Sequence, residues 1–214
     1  FILIFFKVLQ KKYFFYYFYR KKKYVFLKDS KFKNVLDIAS NSFQTYKLIK
    51  KINNNLTIHC FDPILENRKN NKNNFFKKIA LGNFDGEGDL YMPFFKNINL
   101  DSLNSFNLVN IKNYLDKYLR NTHIKIKKKR VIIKKLDSFN LTSDFIKIDV
   151  EGYELKVLEG SIKHIKKNNP IILIEKNKEF FKIKKFMRKL NYSTYKFYNN
   201  KFVFVEKNED DDIF

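Results

Sequence analysis

The stretch DFIKIDVEGYELKVLEGS, residues 144–161, combines a short apolar segment with two glycines and, after that segment, four carboxylates. The apolar residues of FIKIDV fall on both faces of an extended segment, which predicts a strand covered on both sides. Asp149 and Glu151 follow at its carboxyl end, where open parallel sheets place their ligand crevice. Gly152 allows a sharp turn into a helix, and Gly160 allows that helix to pack closely on the sheet. The stretch therefore predicts a strand, a tight turn and a helix beside a crevice.

The acids of this stretch have a structural explanation as well as a functional one. Glu151 and Glu154 stand near the start of the predicted helix, where the helix dipole is positive, and capping explains Glu154 well. Capping explains Asp149 poorly, because a carboxylate that ends a buried strand must be paired, bound to a ligand or facing a cleft. Lys147 is a cation inside the same strand, and we expect it to pair with a nearby acid.

The composition predicts one domain with a basic surface. The chain has 214 residues, 44% of them hydrophobic, which is enough for one sizeable core. Its 44 Lys and Arg against 22 Asp and Glu give a net charge of +22, which suggests a nucleic acid or an anionic membrane. Few of these cations are arginine, the residue that binds phosphates bidentately, and Lys, Asn, Ile, Phe and Tyr share A/T-rich codons. We therefore favour a lysine-coated surface and expect no specific nucleic-acid partner.

Cysteine and histidine usage indicates neither a disulfide nor a metal site. The single cysteine, Cys60, excludes an internal disulfide, fits a reducing compartment and lies in the apolar LTIHCF, which predicts a buried thiol. The histidines at 59, 123 and 164 lack the spacing of metal ligands, so no metal is predicted.

The N-terminus reads FILIFFKVLQKKYFFYYFYRKKK, and its apolar residues 1–9 are too short to span a bilayer. Two interpretations stay open: peripheral contact with a membrane interface, or a helix packed on the domain. No small-residue cleavage site follows, so no signal peptide is expected. We expect a basic, aromatic helical segment over 1–33, the main domain over 34–206 and a disordered acidic tail over 207–214. The expected localisation is cytoplasmic, with membrane association as the alternative.

From residue 34 onward, apolar strands alternate with helices, which predicts an α/β domain with a largely parallel sheet. Strands are predicted at 34–40, 56–63, 75–82, 144–150 and 170–176, and helices at 43–52, 64–73, 153–167 and 178–190. Residues 86–94 predict an edge strand, because Pro93 is unsuited to a central one. Residues 105–119 predict a helix and 123–135 one or two exposed strands, and the C-terminal residues predict a hairpin turned by Asn199-Asn200.

The segment IKIDVEGYELKVLEG resembles the signature of the FkbM family of S-adenosyl-L-methionine-dependent methyltransferases, which reads KIDVEGYE followed by VLKG. VIIKKLDSFNLTS before it and PIILIE after it resemble the same family, as do KIALGNFDGEGDLY, IHCFDPILEN and VLDIASN. These pieces agree with the family in order and spacing over residues 34–176. The resemblance implies a Rossmann-like class I methyltransferase with a mostly parallel seven-stranded sheet, helices on both faces and a C-terminal antiparallel hairpin.

The resemblance also implies a site for the cofactor S-adenosyl-L-methionine. Such a sheet needs a loop of close approach after the first strand and an acid after the second for the ribose hydroxyls. Asp37 and Asp62 occupy these places, with Ala39, Ser40 and Asn41 in the loop. The family loop resembles DIGANIGQ, and here it reads DIASNSFQ, so that Ala39 and Phe43 replace two glycines. The Phe43 ring must either turn into the core or block the pocket.

For the chemistry, the resemblance implies methyl transfer to a hydroxyl of a small molecule or glycan. Positioning supplies most of the catalysis, and a base or a metal must take up the hydroxyl proton. Asp149 and Glu151 are the candidate catalytic residues, followed by Glu175 at the end of the next strand, for which a surface carboxylate is equally compatible. We expect His123 to be solvated. The alternatives are a non-catalytic domain with an impaired cofactor loop and, on charge alone, a nucleic-acid methyltransferase.

Overall fold

A computed structural model of the chain describes residues 24–65, 69–119, 123–174, 178–198 and 201–204. The predictions for the aromatic residues 1–23, the Asn199-Asn200 turn, Glu175 and the acidic tail 207–214 lie outside the described residues. Tyr24, Leu27 and Phe32 are buried, so the described part of the predicted N-terminal segment packs with the domain.

A five-stranded parallel sheet forms the centre of the molecule. Its strands are β1 (Asn34–Ile38), β2 (Thr57–Phe61), β3 (Asn74–Lys77), β8 (Phe145–Ile148) and β9 (Ile171–Ile174), in the order β3-β2-β1-β8-β9. All four pairings are parallel, and β1 and β8 are in register from Val35 opposite Phe145 to Ile38 opposite Ile148. The predicted α/β class with a largely parallel sheet is confirmed. The carboxyl ends of β1, β2 and β8 therefore meet at one edge of the sheet.

Helices cover both faces of this sheet. They are α1 (Gln44–Ile52), α3 (Glu154–Glu159), α4 (Ile162–Asn168) and α5 (Phe180–Lys189). One face packs Val35, Ile58 and Phe145 with residues of α1, and Cys60 is fully buried there, as predicted. The other packs Leu36, Ile146 and Ile148 with residues of α3, α4 and α5. The alternation along β1 explains both layers, because neighbouring residues point to opposite faces of a strand.

A second sheet lies beside the first. It consists of β4 (Ala80–Leu81), β5 (Gly86–Phe95), β6 (Ile98–Asn99) and β7 (Ile124–Lys134), in the order β4-β7-β5-β6, and α2 (Leu108–Tyr118) connects β6 to β7. The helix predicted at 105–119 and the exposed strand at 123–135 are confirmed. The segment 86–94 is a strand, but it lies between β7 and β6 rather than at the edge. Pro93 is tolerated there because β6 pairs with Phe94 and Phe95, the two residues after Pro93, and not with Pro93 itself.

Three sequence predictions need correction. Residues 64–65 and 69–73 of the predicted helix 64–73 are not helical, because the Asn71 side chain accepts a hydrogen bond from the Asn73 amide and the Asn70 side chain accepts one from the Phe76 amide in β3. The strand predicted at 75–82 is two strands, β3 and β4, in different sheets. The helix predicted at 153–167 is broken at Gly160-Ser161 into α3 and α4.

The seven-stranded sheet with a C-terminal hairpin is not confirmed, since the described parallel sheet has five strands. The last two strands, β10 (Tyr195–Tyr198) and β11 (Lys201–Phe204), pair antiparallel with each other as a separate two-stranded sheet. Among the described residues, no helix combines the length and apolar character needed to cross a bilayer.

The break between α3 and α4 is stabilised from outside the helices. A Cβ atom added to Gly160 would lie 1.8 Å from the carbonyl oxygen of Gly82, so the two backbones touch. Asp137 then caps α4, because its two carboxylate oxygens accept hydrogen bonds from the amides of Lys163 (3.0 Å) and His164 (2.8 Å). The predicted close packing of Gly160 is thus present, against the residue that follows β4.

His164 is buried at 4% exposure, and one of its ring nitrogens, Nε2, lies 2.7 Å from the Ser143 hydroxyl oxygen. Burial lowers the pKa of His164 from its ordinary value of 6.5, since the charged ring would lose its water. At pH values between its folded and unfolded pKa values, His164 therefore carries a proton in the unfolded chain and none in the folded chain.

We predict that the folded state loses stability as the pH falls below about 6.5, the ordinary histidine pKa. His164→Gln should show a shallower loss over the same range, measured as thermal midpoints at a series of pH values. Burial also lowers the pKa of His59, to about 4. His59 therefore still makes the stability of the variant fall as the pH is lowered. An unchanged slope in His164→Gln would contradict this assignment.

We also predict that Gly160→Ala lowers the free energy of unfolding by about 3 kcal/mol, because the new methyl group must displace backbone. The measurement is urea denaturation. Gly86→Ala is the matched control, since its Cβ would meet only the ring of Phe84, 3.3 Å away and 40% exposed. Equal losses in the two variants would show that the contact with Gly82 is not the cause.

Candidate active site

Lys147 lies at the centre of the candidate site. It is a residue of β8 and is buried, with only 4% of its surface exposed. Its ammonium group is 3.5 Å from Asp37 Oδ1 and 3.3 Å from Asp149 Oδ2. It also donates to the carbonyl oxygens of Ala39 (2.9 Å) and Ile38 (3.4 Å). The predicted pairing with an acid is confirmed, and there are two acids. A buried ammonium is tolerated only with such compensation, so the cluster ties the end of β1 to the end of β8.

Asp37 is the partner of Lys147 on β1. The two residues are opposite each other in the parallel register, and Asp37 has no exposed surface. The sequence predicts Asp37 as a cofactor-binding residue. In the structure its carboxylate faces the lysine, so direct contact with a ligand would require the ion pair to open.

The loop after β1 has an unusual backbone. Ala39, Asn41 and Phe43 have φ values of 58°, 43° and 60°, in the left-handed region that favours glycine. Ala39 and Phe43 are the two residues that stand where the FkbM pattern has glycine. The Ser40 hydroxyl donates to the Asp37 carbonyl oxygen at 2.7 Å. The glycine-type loop shape is thus adopted without glycine.

The ring of Phe43 turns into the core. It is 3% exposed and packs edge-on against Phe76 and Tyr46, with ring centroids 5.2 and 6.2 Å away. Of the two outcomes open from the sequence, a core position and a blocked pocket, the structure has the first.

Asp62 follows β2 and joins two loops. Its Oδ2 accepts a hydrogen bond from the Asn41 amide (2.9 Å), and its Oδ1 accepts one from the Ile64 amide (2.8 Å). The residue is 8% exposed. Burial raises the pKa of Asp62, an effect partly opposed by these hydrogen bonds, and the neighbouring Asp37 adds to it. Asp62 and Asn41, both predicted as cofactor-binding residues, are therefore brought together, with Ser40 buried between Asp37 and Asn41.

The signature turn after β8 contains the predicted catalytic residues. The Asp149 side chain is 16% exposed and turned towards Lys147, whereas Glu151 is exposed. Glu151 has φ 52° and Gly152 φ 94°, so the predicted sharp turn is present. Glu154 is 1% exposed, and its Oε1 accepts hydrogen bonds from the amides of Val150 (3.1 Å) and Gly152 (3.2 Å). Burial raises the pKa of Glu154. Its role is structural, as the sequence suggests.

Sequence reasoning missed two residues that reach this turn from the segment before β7. The Ser105 hydroxyl, in a residue 2% exposed, donates to the Glu151 carbonyl oxygen at 2.7 Å. The Asn110 side chain of α2 lies so close to Gly152 that an added Cβ would be 2.2 Å from its Nδ2. Asn107 caps the start of this helix, because its side chain accepts hydrogen bonds from the amides of Val109 and Asn110. That cap signal predicts a helix start, but nothing in it indicates contact with residues 151–152.

The remaining candidates are His123 and Glu175. His123 is exposed, as expected for a solvated residue, and Glu175 lies outside the described residues. Within the described ranges, no group of three His, Cys, Asp or Glu side chains is arranged to hold a metal ion. The polar groups described at the site are therefore carboxylates, one ammonium group, the Ser40 and Ser105 hydroxyls, the Asn110 amide and backbone.

One solved structure that resembles this chain is the methyltransferase FkbM from Methylobacillus flagellatus KT. The two chains are 10% identical with a TM-score of 0.41, and the match covers 66% of this chain and 32% of that one. This chain thus spans about a third of the length of that protein. No curated protein matches the sequence.

A family comparison covers most of the chain. The sequence model of the methyltransferase FkbM domain matches residues 31–194, which include every strand of the parallel sheet and the signature turn. The chain therefore belongs to the FkbM methyltransferase domain family.

Proposed function

We propose that this protein is an S-adenosylmethionine-dependent O-methyltransferase that acts on a hydroxyl group of a small molecule or glycan. The observation that carries the proposal is the meeting of Asp62, Asp149 and the Lys147 cluster at the carboxyl edge of the sheet, in a chain of a methyltransferase family. Open parallel sheets bind ligands at this edge.

The residues after β1 and β2 fit a nucleoside cofactor. Each Asp62 oxygen accepts one loop amide, and a carboxylate oxygen has a second acceptor position, so both can still receive a ribose hydroxyl. The left-handed backbone at Ala39 and Asn41 keeps the loop turned close to Asp62. When bound, S-adenosylmethionine supplies an electrophilic methyl group on a positively charged sulfur. The site has three carboxylates, Asp37, Asp62 and Asp149, and one ammonium group, and this net negative charge suits such a cation.

Asp149 is the residue that we assign to the acceptor side. It is the partly exposed member of the buried cluster, so it can accept the proton of an acceptor hydroxyl while Lys147 holds its orientation. Glu151 lies two residues further on, exposed and with its backbone anchored by Ser105, where it can hydrogen-bond to other polar groups of the acceptor. Glu175 remains a candidate for the same role.

The alternative of a non-catalytic domain is not favoured. It was suggested by Ala39 and Phe43 in place of glycines, which would impair the cofactor loop if Phe43 filled the pocket. The buried Phe43 ring removes that reason. The loop keeps its bend, and the cost is backbone strain of about 1–2 kcal/mol for each left-handed residue.

We predict that S-adenosylmethionine and S-adenosylhomocysteine raise the thermal midpoint of the protein. Asp62→Asn should weaken their binding at least about tenfold, because it removes a charged acceptor for hydroxyl donors. Calorimetric titration measures the affinity. Asp101→Asn, which changes an exposed carboxylate outside the site, is the matched control.

The same experiment separates binding from chemistry through Asp149→Asn. This variant should bind the cofactor yet lose methyl transfer by about 100-fold or more, as expected for removal of a general base. Transfer is measured as S-adenosylhomocysteine formed with a panel of hydroxylated acceptors. Absence of cofactor binding by the wild-type protein at millimolar concentration would contradict the proposal.

For the loop, we predict opposite effects of two glycine substitutions. Ala39→Gly should stabilise the protein by about 0.5–1 kcal/mol, because it relieves a left-handed alanine. Phe43→Gly should destabilise it by about 2–4 kcal/mol, because losing a buried ring outweighs the same relief. Urea denaturation measures both.

Ala80→Gly in β4, where φ is not positive, is the control for Ala39→Gly and should destabilise. If Phe43→Gly instead binds S-adenosylmethionine and the wild-type protein does not, the non-catalytic alternative would be correct.

A further inference from the structure

The antiparallel pair of β5 and β7 continues beyond the packed part of the domain. The strands pair along ten residues, from Gly86 opposite Ile133 to Phe95 opposite Ile124. At the first end, Leu90, Val131 and Ile133 are buried, whereas the other end carries exposed lysines and the two-residue turn at 96–97. We call residues 90–99 together with 123–129 the ribbon.

The ribbon is uniformly basic. It contains no Asp or Glu but five lysines, at 96, 125, 127, 128 and 129. Asp89, just before it, pairs with Lys128, and Asp101 follows it on the other side. Within the described part of the chain, no ion pair involves Lys125, Lys127 or Lys129. These three alternate along β7 and therefore point to the same face of the sheet.

Apolar groups lie on both faces of the ribbon. Phe94 is half-buried on the face of these three lysines, opposite Lys125. Ile98, beside the turn, is 63% exposed and lies on the other face with the half-buried Phe95, its partner in the register. The Lys127 ammonium lies 4.5 Å from the centre of the Phe94 ring, and the Lys96 ammonium lies 5.8 Å from that of Phe95. Lysines interspersed with exposed and half-buried apolar side chains are typical of surfaces that meet the bilayer interface.

We propose that the ribbon is a docking surface for an anionic lipid bilayer, independent of the methyltransferase proposal. With the ribbon end-on to the bilayer, the lysines would face the phosphate and carboxylate headgroups, and Ile98, beside the turn at its tip, would enter the boundary of the acyl chains. A nucleic acid fits less well. Arginine forks and exposed flat rings favour nucleic acids, whereas this surface has lysines, an exposed aliphatic residue and partly covered phenyl rings.

The test is flotation of the full chain with vesicles of phosphatidylcholine and phosphatidylserine, compared with phosphatidylcholine alone. Binding to the anionic vesicles is expected to fall roughly 100-fold in the variant Lys125→Gln/Lys127→Gln/Lys129→Gln, since each lysine near such a surface contributes about fivefold. The matched control is Lys163→Gln/Lys166→Gln/Lys167→Gln on α4, which removes the same charge from exposed positions elsewhere. This control should bind nearly as well as the wild-type protein.

A second measurement reports insertion. The chain has no tryptophan, so Ile98→Trp places a single fluorophore at the end of the ribbon. Its emission should shift to shorter wavelength on anionic vesicles, whereas that of Phe181→Trp, at a position 71% exposed on α5, should not.

Equal losses in the two lysine variants would overturn the proposal, because binding would then belong to the whole lysine coat. Unchanged binding in the ribbon variant would also overturn it and would place the contact elsewhere, including residues 1–23. Tight RNA binding that depends on the ribbon lysines, without vesicle binding, would assign the surface to nucleic acid instead. Circular dichroism shows that each variant is folded before it is scored.

Discussion

The buried ammonium of Lys147 is the interaction on which the rest of the site depends. A lysine in the middle of a parallel sheet loses nearly all of its water, and four oxygens from Asp37, Asp149 and the carbonyls of Ile38 and Ala39 compensate for it. Three of these oxygen-bearing residues lie at the end of β1 and one at the end of β8. The same cluster thus orients Asp149, the residue proposed to take the proton of the acceptor hydroxyl. It also holds Ala39, the first residue of the loop after β1.

Around this cluster, carboxylates stabilise tight connections of the kind that glycines often make possible in other proteins. The chain has only 5 glycines, yet its connections are tight. Four buried or half-buried acids each accept two backbone amides at a junction: Asp62 between two loops, Asp137 at the start of α4, Asp144 at the start of β1 and Glu154 at the signature turn. Such bonds are charge-assisted and stronger than neutral ones, so they hold backbone shapes that the local residues do not favour.

Prediction from the sequence succeeded where the residue types of a segment are compatible with only one arrangement. Apolar residues on both faces of 145–148 require a covered strand, and a lysine among them requires an acid. The helix expected at 64–73 failed because asparagine side chains compete for backbone amides, which a helical pattern of polar residues does not reveal. The break at Gly160 depends on the Gly82 backbone, far away in the sequence. The Ser105 and Asn110 contacts likewise arise only when α2 packs against the turn, so no local pattern could indicate them.

The parallel register of β1 with β8 also constrains the order in which the chain folds. The two strands are neighbours in space but about 110 residues apart, whereas β1, β2 and β3 follow one another closely. On the ribosome, β1 to β3 can pair early, but Asp37 has no ammonium to face until β8 has emerged. During that interval the charged edge of β1 stays hydrated, until β8 pairs with it and β9 then adds to β8. Such long-range pairing is slow, so synthesis of the signature stretch is the step that allows the charged edge of β1 to be covered.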